Sequence, residues 1–462
     1  MPTPARTTPA VAATPPAATA SPTTTPAVAA TAPATTAAPT GGPLAAYRRV
    51  FAVPGAVAFT LAGLIGRLSF SMLGMSLLTA VVDRRHSYAL AGAVAAAGTV
   101  GVAVGMPLLG RLVDRYGQHR ISLPAALLAA GPRAALPLLV HSGAPAWALC
   151  AAAGTAAALS PNLGGMARAR WAHLHGADPE LLHRANALEQ ALDELCYLAG
   201  PVLGVLLCSA FFPEAGLAAV ALLSAGGGVL FAVQRRTEPP VPAAGTTKAS
   251  AHTARSPLRT PGFPLLVAVF AGTGVVFGSL EITTLAWAGE HGHQSATGVL
   301  LALLAAGSGL SGLRHGLRGG RGGPERQLRR SLAAMAGLLL LPCAVVAAGG
   351  GFGLLAVALF VAGGGTAPTM VSGMTLVQRL LPAGALNEGM AFAVSGIVSG
   401  ISAGSALGGL LAQRTSPTGG YLLAAGAGAL ALLLAVLGTR RLRLPAPQNA
   451  TTGAGGAAGG SS

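Results

Sequence analysis

Long apolar stretches separated by short polar segments make up the chain between about residues 48 and 440. Each stretch reaches the roughly 20 residues that an α-helix needs to cross the hydrocarbon core of a bilayer. The first is longer than one span requires, which predicts a tilted helix or one that extends beyond the hydrocarbon. The pattern predicts twelve spans, at residues 54–82, 88–110, 121–141, 146–168, 186–212, 215–234, 263–287, 296–316, 329–349, 352–376, 388–412 and 419–439.

Three segments outside these stretches lack a helical pattern. Residues 1–47 are mostly Ala, Thr and Pro, and residues 441–462 are mainly Pro, Gly, Ala and Ser. Such compositions predict disordered tails. Residues 235–262 carry basic residues among prolines and threonines, and they predict a flexible linker between an N-terminal half, 48–234, and a C-terminal half, 263–440.

Composition and charge support a membrane protein. Only 9% of residues are charged, 52% are apolar and the mean hydropathy is +0.63, whereas a soluble domain is about 25% charged. The net charge of +16 does not predict nucleic-acid binding, because the basic residues lie in small groups between spans. With the N-terminus inside, only Arg84, Arg85 and Arg414 fall in external loops. This bias predicts cytoplasmic termini in a multi-pass plasma-membrane protein.

Similar residues recur at a nearly constant offset. Besides the three pairs given below, Asn186 at the start of the fifth span has a counterpart in Asn387 at the start of the eleventh. These matches predict two six-helix halves. The pairs, 206 or 207 positions apart, are Gly66 and Gly272, Gly110 and Gly316, and Pro161 and Pro368.

The loop between the second and third spans carries a specific motif, Gly-x-x-x-Asp-Arg-x-Gly-x-x-Arg. Its residues are Gly110, Asp114, Arg115, Gly117 and Arg120. The motif resembles the loop that joins the second and third helices of the major facilitator superfamily, although Gln118 and His119 stand where that family usually has Arg or Lys. The resemblance implies an all-α fold of two pseudo-symmetric halves with a binding site at mid-depth between them. It also implies conformational gating, in which Asp114 pairs with arginines at the cytoplasmic face.

Charged residues deep within spans are costly, at about 2.5–3.5 kcal/mol on insertion scales, and indicate function. In the superfamily the first and seventh helices face each other, so we expect Arg67 and Glu281 to form the substrate and proton site. Glu194 lies more than two turns into the fifth span and is a further candidate. Arg133 has two interpretations: a transport residue, or a structural cap on carbonyls left free beside Pro132.

A second charged group spans the fourth and fifth stretches, a region similar to that of some facilitator-type permeases. Glu189 and Asp193 share a helix face at i, i+4. Arg168 and Arg170, at the end of the preceding helix, are expected to neutralise these carboxylates. We interpret the group as a cytoplasmic ion-pair cluster that locks one conformation.

Glycines predict close helix packing in both halves. In the eleventh span Gly396, Gly400, Gly404 and Gly408 form one stripe. In the fifth, Gly200, Pro201 and Gly204 resemble the core of a motif of drug and proton antiporters, although Ala187 and Cys196 stand at the motif's earlier glycine positions. A generic proline bend is the alternative.

Several enzyme signals are absent or misplaced. Residues 307–312 fit Gly-x-Gly-x-x-Gly but lie within an apolar stretch, and no nucleotide-binding Gly-x-x-x-x-Gly-Lys-Ser/Thr motif exists. The loop histidines lack metal-type spacing. We therefore expect no enzyme activity, cofactor or metal, but a monomeric transporter that couples protons to efflux of a small amphipathic molecule or drug. The alternatives are a proton-coupled nutrient permease, a non-transporting receptor or scaffold, and an integral membrane enzyme.

Overall fold

The computed structural model describes residues 43–241, 256–293, 296–318 and 323–438. These residues form α-helices joined by short turns, including two 3-10 turns at Pro257–Arg259 and Ala383–Ala385. The predicted all-α class is confirmed. The helices are Pro43–Val50, Ala56–Arg85, Tyr88–Tyr116, Gln118–His141, Ala146–Ala158, Leu163–His175, Pro179–Ala210, Ala215–Val233, Phe263–Glu290, Thr297–Leu317, Pro324–Leu338, Leu340–Ala347, Phe352–Gly363, Thr366–Leu380, Leu386–Arg414 and Pro417–Leu437.

Eleven helical segments within the described ranges are long and apolar enough to cross a membrane. They match eleven of the predicted spans, and we number the spans as predicted. The ninth, Pro324–Ala347, and the tenth, Phe352–Leu380, are each made of two consecutive helices. The prediction of a single helix at 146–168 is wrong, because the fourth span is split.

The fourth span consists of two 13-residue helices, Ala146–Ala158 and Leu163–His175. Pro161 lies in the break and lacks a backbone N–H, and it disfavours helical geometry at the preceding Ser160. The side-chain oxygen of Asn162 accepts a hydrogen bond from the Gly165 amide at 3.0 Å and so starts the second helix. The break therefore follows from a proline and an N-cap residue in sequence.

The connections between spans lie on two sides of the molecule. We call the side on which the sixth span ends, at Val233, and the seventh begins, at Phe263, the linker side, and the opposite one the turn side. Among the fully described connections, the linker-side ones are Gly117, 176–178 and 381–385, and the turn-side ones are 86–87, 142–145, 211–214, 348–351 and 415–416.

Helix packing in the first six spans is repeated in the last six. The first span packs on the fifth and sixth, as the seventh does on the eleventh and twelfth. The second packs on the fourth, and the eighth on the tenth. The two groups meet along two seams, between the second and eleventh spans and between the fifth and eighth. This repetition agrees with the internal sequence matches, while the predicted domain boundaries remain a prediction.

The glycine stripe of the eleventh span faces the seventh span. A Cβ atom on Gly400 would overlap the backbone oxygen of Ala271, and one on Gly404 would overlap that of Val275. Gly396 and Gly408 lie against the same helix. In the first group, Gly200 and Gly204 likewise lie against the first span, in a helix that continues through Pro201.

Part of the predicted tail and linker is structured. The helix Pro43–Val50 begins inside the segment predicted to be a disordered tail. Thr237, in the predicted linker, is buried. The remaining tail residues, 1–42 and 439–462, and linker residues 242–255 lie outside the described residues.

Candidate functional site

A cavity of about 870 Å³ lies between the first six and the last six spans. Its walls are mostly apolar, with Phe70, Met106 and Phe277 among the larger side chains. Toward the turn side the cavity reaches the ends of the fifth and eighth spans, at Ser209 and Thr297. Such a pocket has the size and polarity of a small-molecule site.

Three arginines and three carboxylate side chains line this cavity: Arg67, Arg133, Arg168, Asp193, Glu194 and Glu281. They include the four residues predicted from charge within spans as substrate or proton-coupling candidates. The structure thus brings those four candidates to one cavity, while their roles in transport remain predictions.

Arg67 is paired within the first six spans. Its Nη1 atom lies 2.6 Å from Glu189 Oε2 and 2.9 Å from Asp193 Oδ1, both on the fifth span. Glu189 is completely buried, and its other oxygen accepts a hydrogen bond from Trp171 Nε1 at 2.7 Å. The predicted i, i+4 face therefore exists, but it pairs with Arg67, which does not meet Glu281. The Nη2 atom of Arg67 is buried without a hydrogen-bond partner among the described residues.

The two arginines of the fourth span differ in environment. Arg168 Nη2 lies 2.8 Å from Asp193 Oδ2, as the sequence predicted. Arg170 instead donates to Gln118 Oε1 at 2.8 Å and lies over the Phe231 ring, 4.1 Å from its centroid. The expectation that Arg170 neutralises the carboxylates is wrong. The ion pairs of this cluster all lie within the first six spans, and its role in locking one conformation remains a prediction.

Arg133 joins three spans through neutral groups. It donates to the hydroxyls of Ser160 and Ser224 and, at 3.3 Å, to the backbone oxygen of Ala156. These partners lie on the fourth and sixth spans. The capping interpretation beside Pro132 is therefore wrong about location. Within the described residues, no carboxylate lies within 4 Å of this guanidinium.

The two remaining carboxylates lie on different groups of spans. Glu194 Oε1 accepts hydrogen bonds from Gln190 Nε2 at 3.1 Å and, across the seam, from Ser308 Oγ at 2.7 Å. Ser308 in turn accepts one from Thr366 Oγ1 at 2.6 Å. Glu281, on the seventh span, is exposed to the cavity and has no hydrogen-bond partner among the described residues.

On the linker side, Asp114 connects the second and eleventh spans. Its Oδ1 atom accepts hydrogen bonds from the Asn387 amide at 3.0 Å and from Asn387 Nδ2 at 2.7 Å, and Oδ2 accepts one from the Glu388 amide at 2.8 Å. A carboxylate at a helix N-terminus is stabilised by free amides and the helix dipole. Asp114 therefore caps the eleventh span. The expectation that Asp114 pairs with an arginine is wrong.

The other motif residues have different environments. Gly110 lies against the backbone of Asn387 and Glu388, where a Cβ atom would come within 3 Å of both residues. Gly117 has a φ of 98°, which favours glycine. Arg115 and Arg120 are exposed to the exterior. Of this motif, Gly110 and Asp114 contribute to the second–eleventh seam, and Gly117 forms the turn between the second and third spans.

On the same side, residues near the start of the fifth span contact the eighth and tenth spans. Asn186 Nδ2 donates to Gln378 Oε1 at 2.5 Å, and Gln378 Nε2 donates to the backbone oxygen of Arg168 at 2.9 Å. His183 Nε2 lies 3.0 Å from the backbone oxygen of His315. Together with Asp114, these contacts close the linker side of the cavity.

Sequence reasoning missed two polar contributors to this closure. Gln118 Nε2 donates to Asn387 Oδ1 of the eleventh span at 3.5 Å, and Gln378 joins the tenth span to the fourth. Their signal was weak, since an amide near a span end is ordinary. The matched pair Asn186 and Asn387 was noted as a repeat, and its recurrence at both seams could have identified the contact.

Glu214 joins helices on the turn side. It lies 2.8 Å from Arg84 Nε and 3.3 Å from His141 Nδ1. Desolvation alone would raise the pKa of this carboxyl, but its hydrogen bonds with Arg84 and their opposite charges outweigh that effect and lower the pKa. This contact ties together the first, third and sixth spans at a distance from the cavity.

Comparison with known proteins agrees with this architecture. An uncharacterized MFS-type transporter, y4rN, of Sinorhizobium fredii is 25% identical over 374 residues, which cover 79% of this chain and 90% of that protein. The human organic anion transporter MFSD10 (TETRAN) matches with a TM-score of 0.67 and 16% identity, over 83% of this chain and all of that one.

Two further structures share the fold. A bacterial homologue of the iron transporter ferroportin in an outward-facing state has a TM-score of 0.66 and 17% identity, over 84% of this chain and 100% of that chain. The E. coli fucose:proton symporter has a TM-score of 0.62 and 14% identity, over 84% and 99%. The profile of the Major Facilitator Superfamily itself matches residues 59–341. This chain therefore belongs to the Major Facilitator Superfamily and is a multi-pass membrane transporter.

Proposed function

We propose that this chain is a secondary active transporter that expels a small amphipathic compound in exchange for protons. The observation that carries the proposal is the cavity of about 870 Å³ between the two groups of spans, with apolar walls and a few ionisable groups. Apolar walls suit the body of an amphipathic compound, while the polar groups orient it. The drug and proton antiporter subtype belongs to this proposal.

The described conformation supports an outward-facing state. The cavity extends to turn-side residues Ser209 and Thr297, whereas Asp114 and Asn186 make seam contacts on the linker side. We place the linker side in the cytoplasm of a plasma-membrane protein, because lysines and arginines concentrate in its loops. Transport then requires these linker-side contacts to separate while the turn side closes.

Glu281 is the proposed proton carrier. Its carboxylate faces the cavity without a hydrogen-bond partner in the described ranges, so neither protonation state is fixed by a neighbouring cation. An ionised carboxylate in an apolar cavity is costly to enclose, whereas a protonated one is not. Proton binding at Glu281 would therefore permit closure of the turn side around it.

The hydrogen bonds of Glu194 depend on the separation of the fifth and eighth spans. It is held by Ser308 across the seam between the fifth and eighth spans. Separation of these spans would remove one of the two hydrogen bonds of its Oε1 atom. In this proposal Glu281 carries the proton, and the hydrogen bonding of Glu194 changes when the fifth and eighth spans separate. A single chain forms the complete transporter.

The experiment is proton flux in proteoliposomes that contain a pH-sensitive dye. A panel of amphipathic compounds is added, and dye fluorescence reports proton movement driven by each substrate gradient. Glu281→Gln should abolish substrate-dependent proton flux while the protein still folds, because the amide keeps the shape but cannot exchange a proton. Glu290→Gln, an exposed glutamate at the end of the same helix, is the matched control.

Two results would oppose the proposal. Proton flux of wild-type size in Glu281→Gln would remove Glu281 from the coupling step. Flux in which protons and substrate move in the same direction would replace antiport by proton-coupled uptake.

A further inference from the structure

The break in the fourth span places a helix N-terminus in the wall of the cavity. The helix Leu163–His175 begins there, and Asn162, Leu163 and Gly164 all line the cavity. A helix N-terminus carries a partial positive charge of about half a unit from its free amides. In transporters built from interrupted helices, such ends point at anionic groups of the substrate.

Arg133 adds a full positive charge beside this break. It is only 7% exposed, it lines the cavity, and it donates to Ser160, which immediately precedes the break residue Pro161. Its Nε atom is buried without a hydrogen-bond partner among the described residues, as is Asn162 Nδ2. Both residues line the cavity. Arg67 Nη2 and Arg168 Nε are likewise buried without a partner among the described residues, so the lack of a counter-ion, and not of a hydrogen bond, distinguishes Arg133.

The other cavity arginines are compensated by the protein itself. Arg67 is paired with Glu189 and Asp193, and Arg168 with Asp193. Arg133, by contrast, has only neutral partners in the described part of the chain. A buried guanidinium without a counter-ion is expensive, which favours a counter-ion supplied by a ligand.

The tenth span gives an internal comparison. Its second helix, Thr366–Leu380, also begins at the cavity, and Thr366 Oγ1 donates to Ser308 Oγ. Ser308 then donates to the carboxylate of Glu194. The protein thus supplies a carboxylate near this helix start, whereas a guanidinium stands near the corresponding start in the fourth span.

We infer that the transported compound is an amphipathic organic monoanion, whose carboxylate or similar group binds at the start of Leu163–His175 beside Arg133 and Asn162. This inference rests on the proposed transport function. The apolar part of the compound would lie along the wall that contains Phe70 and Met106. A second negative charge on the compound is disfavoured, because Glu194 and Glu281 line the same cavity.

The test compares three ligands that share one apolar frame. Naphthalene-2-carboxylate, naphthalene-2-carboxamide and 2-naphthylmethylammonium are titrated into the full-length protein in nanodiscs at neutral pH by calorimetry, with empty nanodiscs subtracted. We expect the carboxylate to bind at least about tenfold more tightly than the amide, a difference equivalent to about 1.4 kcal/mol. Binding that favours the ammonium, or treats the carboxylate and amide alike, overturns the inference.

Variants locate the preference. Arg133→Gln should lose the tenfold preference while the amide binds as in the wild type, which also shows that the cavity is intact. Arg133→Lys should keep part of the preference, because it keeps the charge without the planar donor geometry. Arg330→Gln, at an exposed position of the ninth span, is the control and should change nothing. A full preference for the carboxylate in Arg133→Gln would contradict the assignment.

The experiments distinguish a failure of this inference from a failure of the proposed function. Proton-coupled transport of the ammonium compound that depends on Glu281 would uphold the transport proposal and overturn this inference. Binding of the carboxylate that depends on Arg133, without any proton flux, would uphold the inference and overturn proton coupling.

Discussion

At the scale of single residues, the pairing of Arg67 explains how a guanidinium lies in the middle of a span. Glu189 and Asp193, one helical turn apart on the fifth span, both contact the same Nη1 atom. Glu189 is completely buried, and its two oxygens contact that guanidinium and Trp171 Nε1. The cluster therefore stabilises the packing of the first span on the fifth.

This interdependence predicts a non-additive effect. Arg67→Gln should lower the free energy of unfolding by about 3–5 kcal/mol, because it leaves Glu189 buried without its cation. The double variant Arg67→Gln, Glu189→Gln should be more stable than the sum of the single losses, since the buried charge is gone. Thermal unfolding in detergent, with exposed Glu290→Gln as a control, measures the stabilities. Strictly additive losses would show that the two residues do not depend on each other.

Which residues carry charge into the spans could be predicted from the sequence, but their partners could not. Arg67, Arg133, Glu194 and Glu281 were identified because charge within an apolar stretch is rare, and all four line one cavity. The partners depend on helix rotation, which hydropathy does not define. That is why Arg67 was assigned to Glu281 although Glu189 and Asp193 are nearer.

At the scale of helices, glycine placement determines the closest contacts. The stripe of the eleventh span packs on the seventh, where Gly400 lies against Ala271 and Gly404 against Val275. The periodicity at i+4 was sufficient to predict close packing by another helix, but the identity of that helix required the structure. The split of the fourth span was missed because a hydropathy pattern does not register a break of four residues inside an apolar stretch.

The stripe predicts a large effect from a substitution that touches no charge. Gly404→Leu should lower the free energy of unfolding by about 1–3 kcal/mol or more, because the first added carbon already overlaps the backbone oxygen of Val275. Transport should fail as well. Gly426→Leu, in the twelfth span, is the matched control, since nothing lies within 4 Å of a Cβ atom there. Equal thermal stability and transport for the two variants would show that the stripe is not a required interface.

At the scale of the whole molecule, each seam has a corresponding polar contact on the linker side. Asn387 meets Asp114 at the second–eleventh seam, and its sequence counterpart Asn186 meets Gln378 of the tenth span beside the fifth–eighth seam. The repeat spacing predicted two related groups of spans, and their packing is indeed repeated. The sequence could not predict that the linker side is closed in this structure, because the same sequence adopts every conformation of a transport cycle.

The central claim is that these linker-side contacts must separate for transport. It is tested most directly by a disulfide between Asn186→Cys and Gln378→Cys, in a variant without the four native cysteines. The native side-chain amides of these residues form a hydrogen bond between the fifth and tenth spans. After oxidation we expect transport to stop while ligand still binds from the turn side, and reduction should restore transport. Full transport by completely cross-linked protein would contradict the account.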